Sequence, residues 1–278
     1  MSGSQSDLSG ILEKAIEVVR EASAFIRDNR RAVSQEHVEI KSVNSLVSYV
    51  DKKAEYILVN GLSPLIPDAG FITEEATTEQ SSKEYTWIID PLDGTTNFLH
   101  DIPLFCVSVA LVKEKSPVLG IVHEIVADEM FWAVAGSGAF LNGQPIRVSQ
   151  ADKIEDVLFA TGFPYEKKNL TKPHFTSLQK ILGRTRGIRR LGTAAADLCY
   201  VACGRFGVYY ETSLSPWDVA AGGLIVTEAG GKVTTIRKKD DWLSGQSILA
   251  FAPGLEAGMD EVLSDFNASD DYSFSLPE

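Results

Sequence analysis

Apolar residues near the start of the chain, Leu8, Ile11, Leu12, Ile16, Val19, Ala22, Phe25 and Ile26, recur at steps of three and four, the period of one helix face. They predict an amphipathic helix laid on a core. The segment HVEIKSVNSLVSYV that follows reads as irregular, and DKKAEYILVNGLSPLIPDAG as a second helix closed by turn-forming Gly, Pro and Asp. GFITEE is a short apolar strand ending in acids, and TWIID is another. FCVSVALV, VLGIVHEIV, EMFWAVA and AFLNGQPIRVS read as successive strands, with Asn142-Gly143 a two-residue hairpin signal.

Past QADKIEDV the pattern changes to strands alternating with helices: the helical TAAADLCYVACG, the strand FGVYYET and the helix SPWDVAAGGLIVTEAGG. The order predicts an α/β protein. A single catalytic domain is expected over residues 1–278, with two closely packed halves of about 1–150 and 151–278. No apolar run approaches the ~20 residues of a membrane helix, and the opening MSGSQSDLSG lacks the basic start and apolar block of a secretory signal. The expected address is the cytoplasm, without a membrane partner.

A formal net charge of −12 argues against a nucleic-acid partner held by phosphate neutralisation. The short basic clusters, Arg184, Arg186, Arg189 and Arg190 and then Arg237 to Lys239, read as solvated faces. Cys106, Cys199 and Cys203 are odd in number and set in apolar surroundings, which suits core packing and not a disulfide framework. The four histidines are scattered without ligand spacing, and His100 is the nearest to the chemistry.

That chemistry gathers in WIIDPLDGTTNF. An apolar strand runs into Asp90, Pro91 blocks further central pairing, and Gly94 permits a turn that brings Asp93 back beside Asp90. Two carboxylates in one small volume call for a proton or a hard divalent cation. The carbonyl of Leu92 is a further oxygen donor, while Thr95 and Thr96 offer hydroxyls and backbone N–H groups to an anion. Glu74-Glu75 repeats the strand-then-acid arrangement, so that either could reach the same sheet edge or lie in a solvated loop. Asp218 falls in the first turn of a helix begun by Ser215 and Pro216. There it either complements the helix dipole or sits buried with a partner.

FITEE, WIIDPLDGTTNF, GTAAADLCYVACG and SPWDVAAGGLIVTEAGG, in this order and covering nearly the whole chain, resemble the inositol monophosphatase family. The resemblance implies a layered αβαβα sandwich of the inositol monophosphatase and sugar phosphatase type, lithium-sensitive and usually homodimeric. It implies two or three Mg²⁺ per subunit, used to hydrolyse a small phosphorylated polyol. Carried over residue by residue, Glu74, Asp90, the Leu92 carbonyl, Asp93 and Asp218 would be metal ligands. Glu74, Thr95 and Asp51 would be the catalytic set: Glu74 and Thr95 orient the attacking water, and Asp51 falls where the family supplies a ligand near a further, weaker metal, although it could equally cap the helix it begins. Lys41 resembles a lysine of the active-site loop, one residue closer to Asp51 than expected. Asp93, Gly94, Thr95, Thr96, Gly192, Thr193, Ala194 and Glu211 would meet the substrate, Glu211 at a ring hydroxyl.

Two departures stand out. Thr73-Glu74-Glu75 replaces the common Gly-Glu-Glu, and Ser215 stands where animal relatives often have His. Rival readings differ in the chemistry they need. A covalent aspartate of the haloacid dehalogenase type needs D-x-D, and the spacing here is D-x-x-D; GGKVT lacks the rest of a P-loop. Within the superfamily the alternatives are a 3′(2′),5′-bisphosphate nucleotidase and fructose-1,6-bisphosphatase. Outside enzymology, bacterial relatives suggest an interaction partner in a transcription complex.

Overall fold

The apolar stripe of the first helix is buried as its period predicts: Leu12, Ala15, Val19, Ala22 and Ile26 are each 6% exposed or less. The structure, a computed structural model, describes residues 5–31, 38–42, 45–164, 172–244 and 246–268. Helix α1 (Gln5–Asn29) and helix α2 (Tyr49–Leu62) pack together on one face of a large sheet. Between them, strands β1 (Val38–Ser42) and β2 (Ser45–Ser48) pair antiparallel. This pairing replaces the irregular segment expected from the sequence. It carries a register shift between Ile40 and Ser42, which breaks the alternation that announces a strand.

The large sheet takes its seven strands in chain order: β3 (Gly70–Thr73), β4 (Tyr85–Asp93), β5 (Cys106–Lys113), β6 (Ser116–Glu124), β7 (Glu129–Val134), β8 (Ala139–Leu141) and β9 (Gln144–Ile146). Only β3 and β4 run parallel. Asn142 and Gly143, both at positive φ, make the hairpin joining β8 to β9. Both faces of β5 are covered. Val107, Val109 and Leu111 face α1 and α2, while Cys106, Ala110 and Val112 join the second core.

That second core surrounds α5 (Ala194–Ala202) and α6 (Pro216–Glu228). An unbroken buried run, Val219 to Val226, marks α6 as a helix enclosed on all sides. Gly120 of β6 lets it settle onto the sheet, since a Cβ there would lie 2.8 Å from the Ala221 carbonyl oxygen. Beyond these helices lies a second sheet, in order β11 (Gly187–Arg189), β10 (Leu158–Thr161), β12 (Val208–Thr212), β14 (Ser247–Phe251) and β13 (Lys232–Thr234). An outer layer of α4 (Lys172–Ile181), α7 (Glu256–Val262) and α8 (Ser264–Ala268) closes the stack. On β12, Tyr210 and Thr212 bond outward to Ser177 and His174 of α4. Strand alternation therefore sends Tyr209 and Glu211 inward.

Candidate active site

Residues three apart on a regular strand point to opposite faces. Asp90 and Asp93 escape that rule through a bulge: Asp90 pairs with Ser108 and Asp93 with Cys106, so three steps on β4 match two on β5. The extra residue restores parity, and both carboxylates face the second core. Pro91 therefore does not end the pairing, as its sequence position suggested; it sits inside the bulge, where a missing N–H is tolerated. The freed Leu92 N–H donates to Asp90 Oδ1 at 3.0 Å. Gly94, at φ +94°, then starts the short helix α3 (Thr95–Leu99).

Asp218 arrives from the first turn of α6, with the Ser215 N–H donating to its Oδ2 at 2.6 Å. Oxygens of Asp90, Asp93 and Asp218 lie within 4.8 Å of one another. Glu74, just past β3, reaches hydrogen-bonding contact with Asp90. The four acids and Leu92 line one cavity of about 720 Å³, together with Gly94, Thr95, Thr96, Gly192, Thr193, Ala194 and Glu211. Asp51 is 1% exposed and stands behind it, its Oδ1 accepting the Thr95 hydroxyl at 2.9 Å. It lies in the third position of α2, not at its cap. Glu75 is not among the residues lining the cavity, and its N–H donates to Glu55. The side chain of Lys41 lies outside the described residues.

The electrostatics show why this cluster needs positive charge. Burial first, and then Glu74, Asp93 and Asp218, push the Asp90 carboxyl well above the ordinary range. Burial and the neighbouring Asp93 do the same to Asp218. Asp93 is raised to about 6 by burial, against the pull of the Thr193 hydroxyl and the Ala195 N–H. Those two donate to Asp93 Oδ2 at 2.6 and 2.8 Å, so the N-terminus of α5 is already occupied by a carboxylate. Glu211 is raised to about 7 by burial, opposed by the Tyr209 hydroxyl that donates to it at 2.6 Å. Hard oxygen donors that repel one another in a low-dielectric pocket fit a divalent cation such as Mg²⁺.

Sequence reasoning missed several parts of this wall. Arg184 and Arg186 do lie on the surface, paired with Glu261 and Asp156, but Arg190 lines the cavity. No periodic signal separates it from its neighbours. Asn97 holds α3 to the far loop by donating to the carbonyls of Leu104 and Leu191, each at 2.8 Å. Gly162 is needed for room: a Cβ there would meet the Glu211 carboxylate at 2.0 Å. Gly162→Ala is accordingly expected to raise KM about tenfold while leaving kcat within about twofold if Glu211, as the resemblance implies, meets the substrate, because it displaces that carboxylate and not the acidic cluster. Steady-state kinetics checks this, and an unchanged KM would remove Glu211 from substrate contact.

Oxygen donors drawn from the large sheet, the middle helices and the second sheet into one cavity define a layered α/β protein with an acidic cluster suited to a metal ion. The chain belongs to the inositol monophosphatase family, whose model matches residues 7–268. It is 42% identical over 229 residues to inositol monophosphatase 2 of Solanum lycopersicum, covering 80% of this chain and 86% of that one. It is 35% identical over 247 residues to Nus factor SuhB of Pasteurella multocida, covering 88% and 92%. The crystal structure of extragenic suppressor protein suhB from Bartonella henselae superposes with a TM-score of 0.86 at 36% identity, covering 91% of this chain and 98% of that one. No helix among the described residues is long and apolar enough to cross a membrane.

Proposed function

We propose that this protein is a Mg²⁺-dependent phosphomonoesterase that hydrolyses inositol monophosphate or a similar small polyol phosphate, acting as a homodimer in the cytoplasm. The observation that carries this reading is the convergence of Asp90, Asp93 and Asp218 within 4.8 Å, in a chain of this family. With Glu74 and the Leu92 carbonyl they would hold two or three Mg²⁺. Bound there, the metal supplies Lewis-acid polarisation of the phosphoryl group and a water acidified toward neutral pH.

The protein groups set the direction of attack. The Thr95 hydroxyl lies 2.9 Å from Asp51 Oδ1 and 3.0 Å from the Leu92 carbonyl, and its single proton serves one acceptor at a time. When it donates to Asp51, its lone pairs are free to accept from a water, so that the proton lost by the water is drawn toward Asp51. Glu74 orients the same water from the β3 side. The attack is in line and uses no protein nucleophile. Glu211 and the backbone of Gly192 to Ala194 orient the polyol, while Arg190 brings positive charge to a cavity that an otherwise acidic protein must offer to an anion.

Side-by-side phosphate-release kinetics on inositol 1-phosphate, 3′-phosphoadenosine 5′-phosphate and fructose 1,6-bisphosphate test the substrate. The expected order puts inositol 1-phosphate first by kcat/KM; a preference for either bisphosphate overturns the assignment in favour of the nucleotidase or the sugar bisphosphatase. A second reading, an interaction partner in a transcription complex, is favoured by the SuhB relative named above as a Nus factor. Binding to transcription components that persists in Asp90→Asn would support it.

A further inference from the structure

The two residues flanking Glu74 are hydrogen-bonded to one carboxylate outside the acidic cluster. We infer that Glu55, buried on α2, is a positioning residue that fixes Glu74 for metal and water by holding the chain on both sides of it. The inference rests on the role given to Glu74 above. Glu55 is 0% exposed. Its Oε1 accepts the Thr73 hydroxyl at 2.9 Å, and the Thr77 N–H and hydroxyl each at 2.7 Å. Its Oε2 accepts the Glu75 N–H at 2.7 Å. Glu74 thus lies between two residues tied to one carboxylate, and its own N–H is held by the Ile89 carbonyl at 3.2 Å.

The arrangement accounts for the threonine that replaces the family's common glycine at position 73. Where glycine leaves the backbone free, Thr73 is 3% exposed and donates its hydroxyl to Glu55. It also accepts from Gln80 Nε2 at 3.0 Å, while its N–H donates to Gln80 Oε1 at 2.7 Å. Backbone freedom is exchanged for side-chain bonds. The same helix serves the other side of the water. Asp51 and Glu55 are one turn apart, about 6 Å along the axis and on one face; the first receives the Thr95 hydroxyl and the second the Glu74 loop. One rigid turn of α2 therefore fixes the spacing of the two groups that flank the attacking water.

Glu55→Gln tests this with minimal change of shape. The amide oxygen can still accept where Oε1 does, but the amide nitrogen then faces the Glu75 N–H, donor against donor. Mg²⁺ binding measured by calorimetry is expected to weaken about 10- to 100-fold. In the metal-free protein, hydrogen exchange at the amides of residues 75 and 77 is expected to quicken. Thr77→Val, at an exposed position, removes one of the four bonds without touching the core, and is expected to shift Mg²⁺ affinity in the same direction by a smaller factor. A purely structural Glu55 would lower the melting temperature and leave the Mg²⁺ affinity of the folded variants unchanged, which overturns the inference. Glu74→Gln, run alongside, separates the failures: if it leaves Mg²⁺ affinity and turnover intact, the role of Glu74 is wrong; if it weakens both while Glu55→Gln weakens neither, only the inference about Glu55 falls.

Discussion

Asp90→Asn is expected to lower turnover about a thousandfold at saturating Mg²⁺, on the order of 4 kcal/mol of transition-state stabilisation, while making the metal-free protein more stable. The two effects have one cause. Asp90 is 1% exposed and shares its pocket with Glu74, Asp93 and Asp218, so its negative charge is costly until a cation arrives. Asparagine keeps the shape and still accepts the Leu92 N–H, which reaches Asp90 Oδ1 at 3.0 Å; it removes the charge and puts an NH2 donor in place of the other carboxylate oxygen. The mutual repulsion falls, and the metal-free melting temperature is expected to rise by a few degrees.

The same change weakens the hold on Mg²⁺, and the stabilisation that Mg²⁺ adds shrinks with it. Phosphate release and thermal melts with and without Mg²⁺ measure both effects. Turnover near that of the wild type would remove Asp90 from the chemistry. A metal-free melting temperature that drops would mean that Asp90 holds the fold together, and that the cluster is not a site waiting for positive charge.

How much of this was legible in the sequence depends on the range of each interaction. The first helix, the meander and the Asn142-Gly143 hairpin follow from local period and turn chemistry, which short stretches of chain carry by themselves. The acids were visible as residue types at strand and helix ends, and the motif order identified the family. What brings Asp90 and Asp93 to one face is a bulge defined by pairing with Cys106 and Ser108, and a strand read alone does not reveal its partner's register. Arg190 looks like its solvated neighbours until the loop before α5 turns it toward the cavity. Nothing local distinguishes Glu55 from the other polar residues of its helix, because the bonds it accepts come from residues 18 to 22 positions away. Long-range satisfaction of a buried charge leaves no periodic trace.

The metal-free protein is also expected to lose stability as pH rises from about 5.5 to 8, the reverse of ordinary acid denaturation. Asp93 holds its proton up to about 6 against an ordinary 3.8, and Glu211 up to about 7 against 4.5; Asp90, Asp197 and Asp218 are raised well above 3.8, by burial first and then by neighbouring carboxylates. At the lower end of this window the unfolded chain has already released these protons, while the folded protein releases each one only as pH passes its raised value. The folded state binds more protons, so the slope of unfolding free energy against pH is negative, and stability is lost as pH climbs through the raised values. Two opposing contributions are smaller here. Asp101, Asp128 and Asp265 are held low by their basic partners, so their contribution is lost only below about pH 4 and is constant in this range. His123, buried between Ser23 and Asp128, is pushed below its ordinary 6.5 by burial, so its contribution rises with pH, but it is one group against several acids. Mg²⁺ replaces the protons as the source of positive charge, so the stabilisation it gives should widen steadily between pH 5.5 and 8. Thermal melts across that range, with Mg²⁺ and with chelator, read the effect, and Asp218→Asn should flatten the chelated curve by removing one of the protons taken up. A chelated curve that is flat or rises would show that these carboxylates are ionised and balanced without metal, and the electrostatic case for a cation at this site would fail with it.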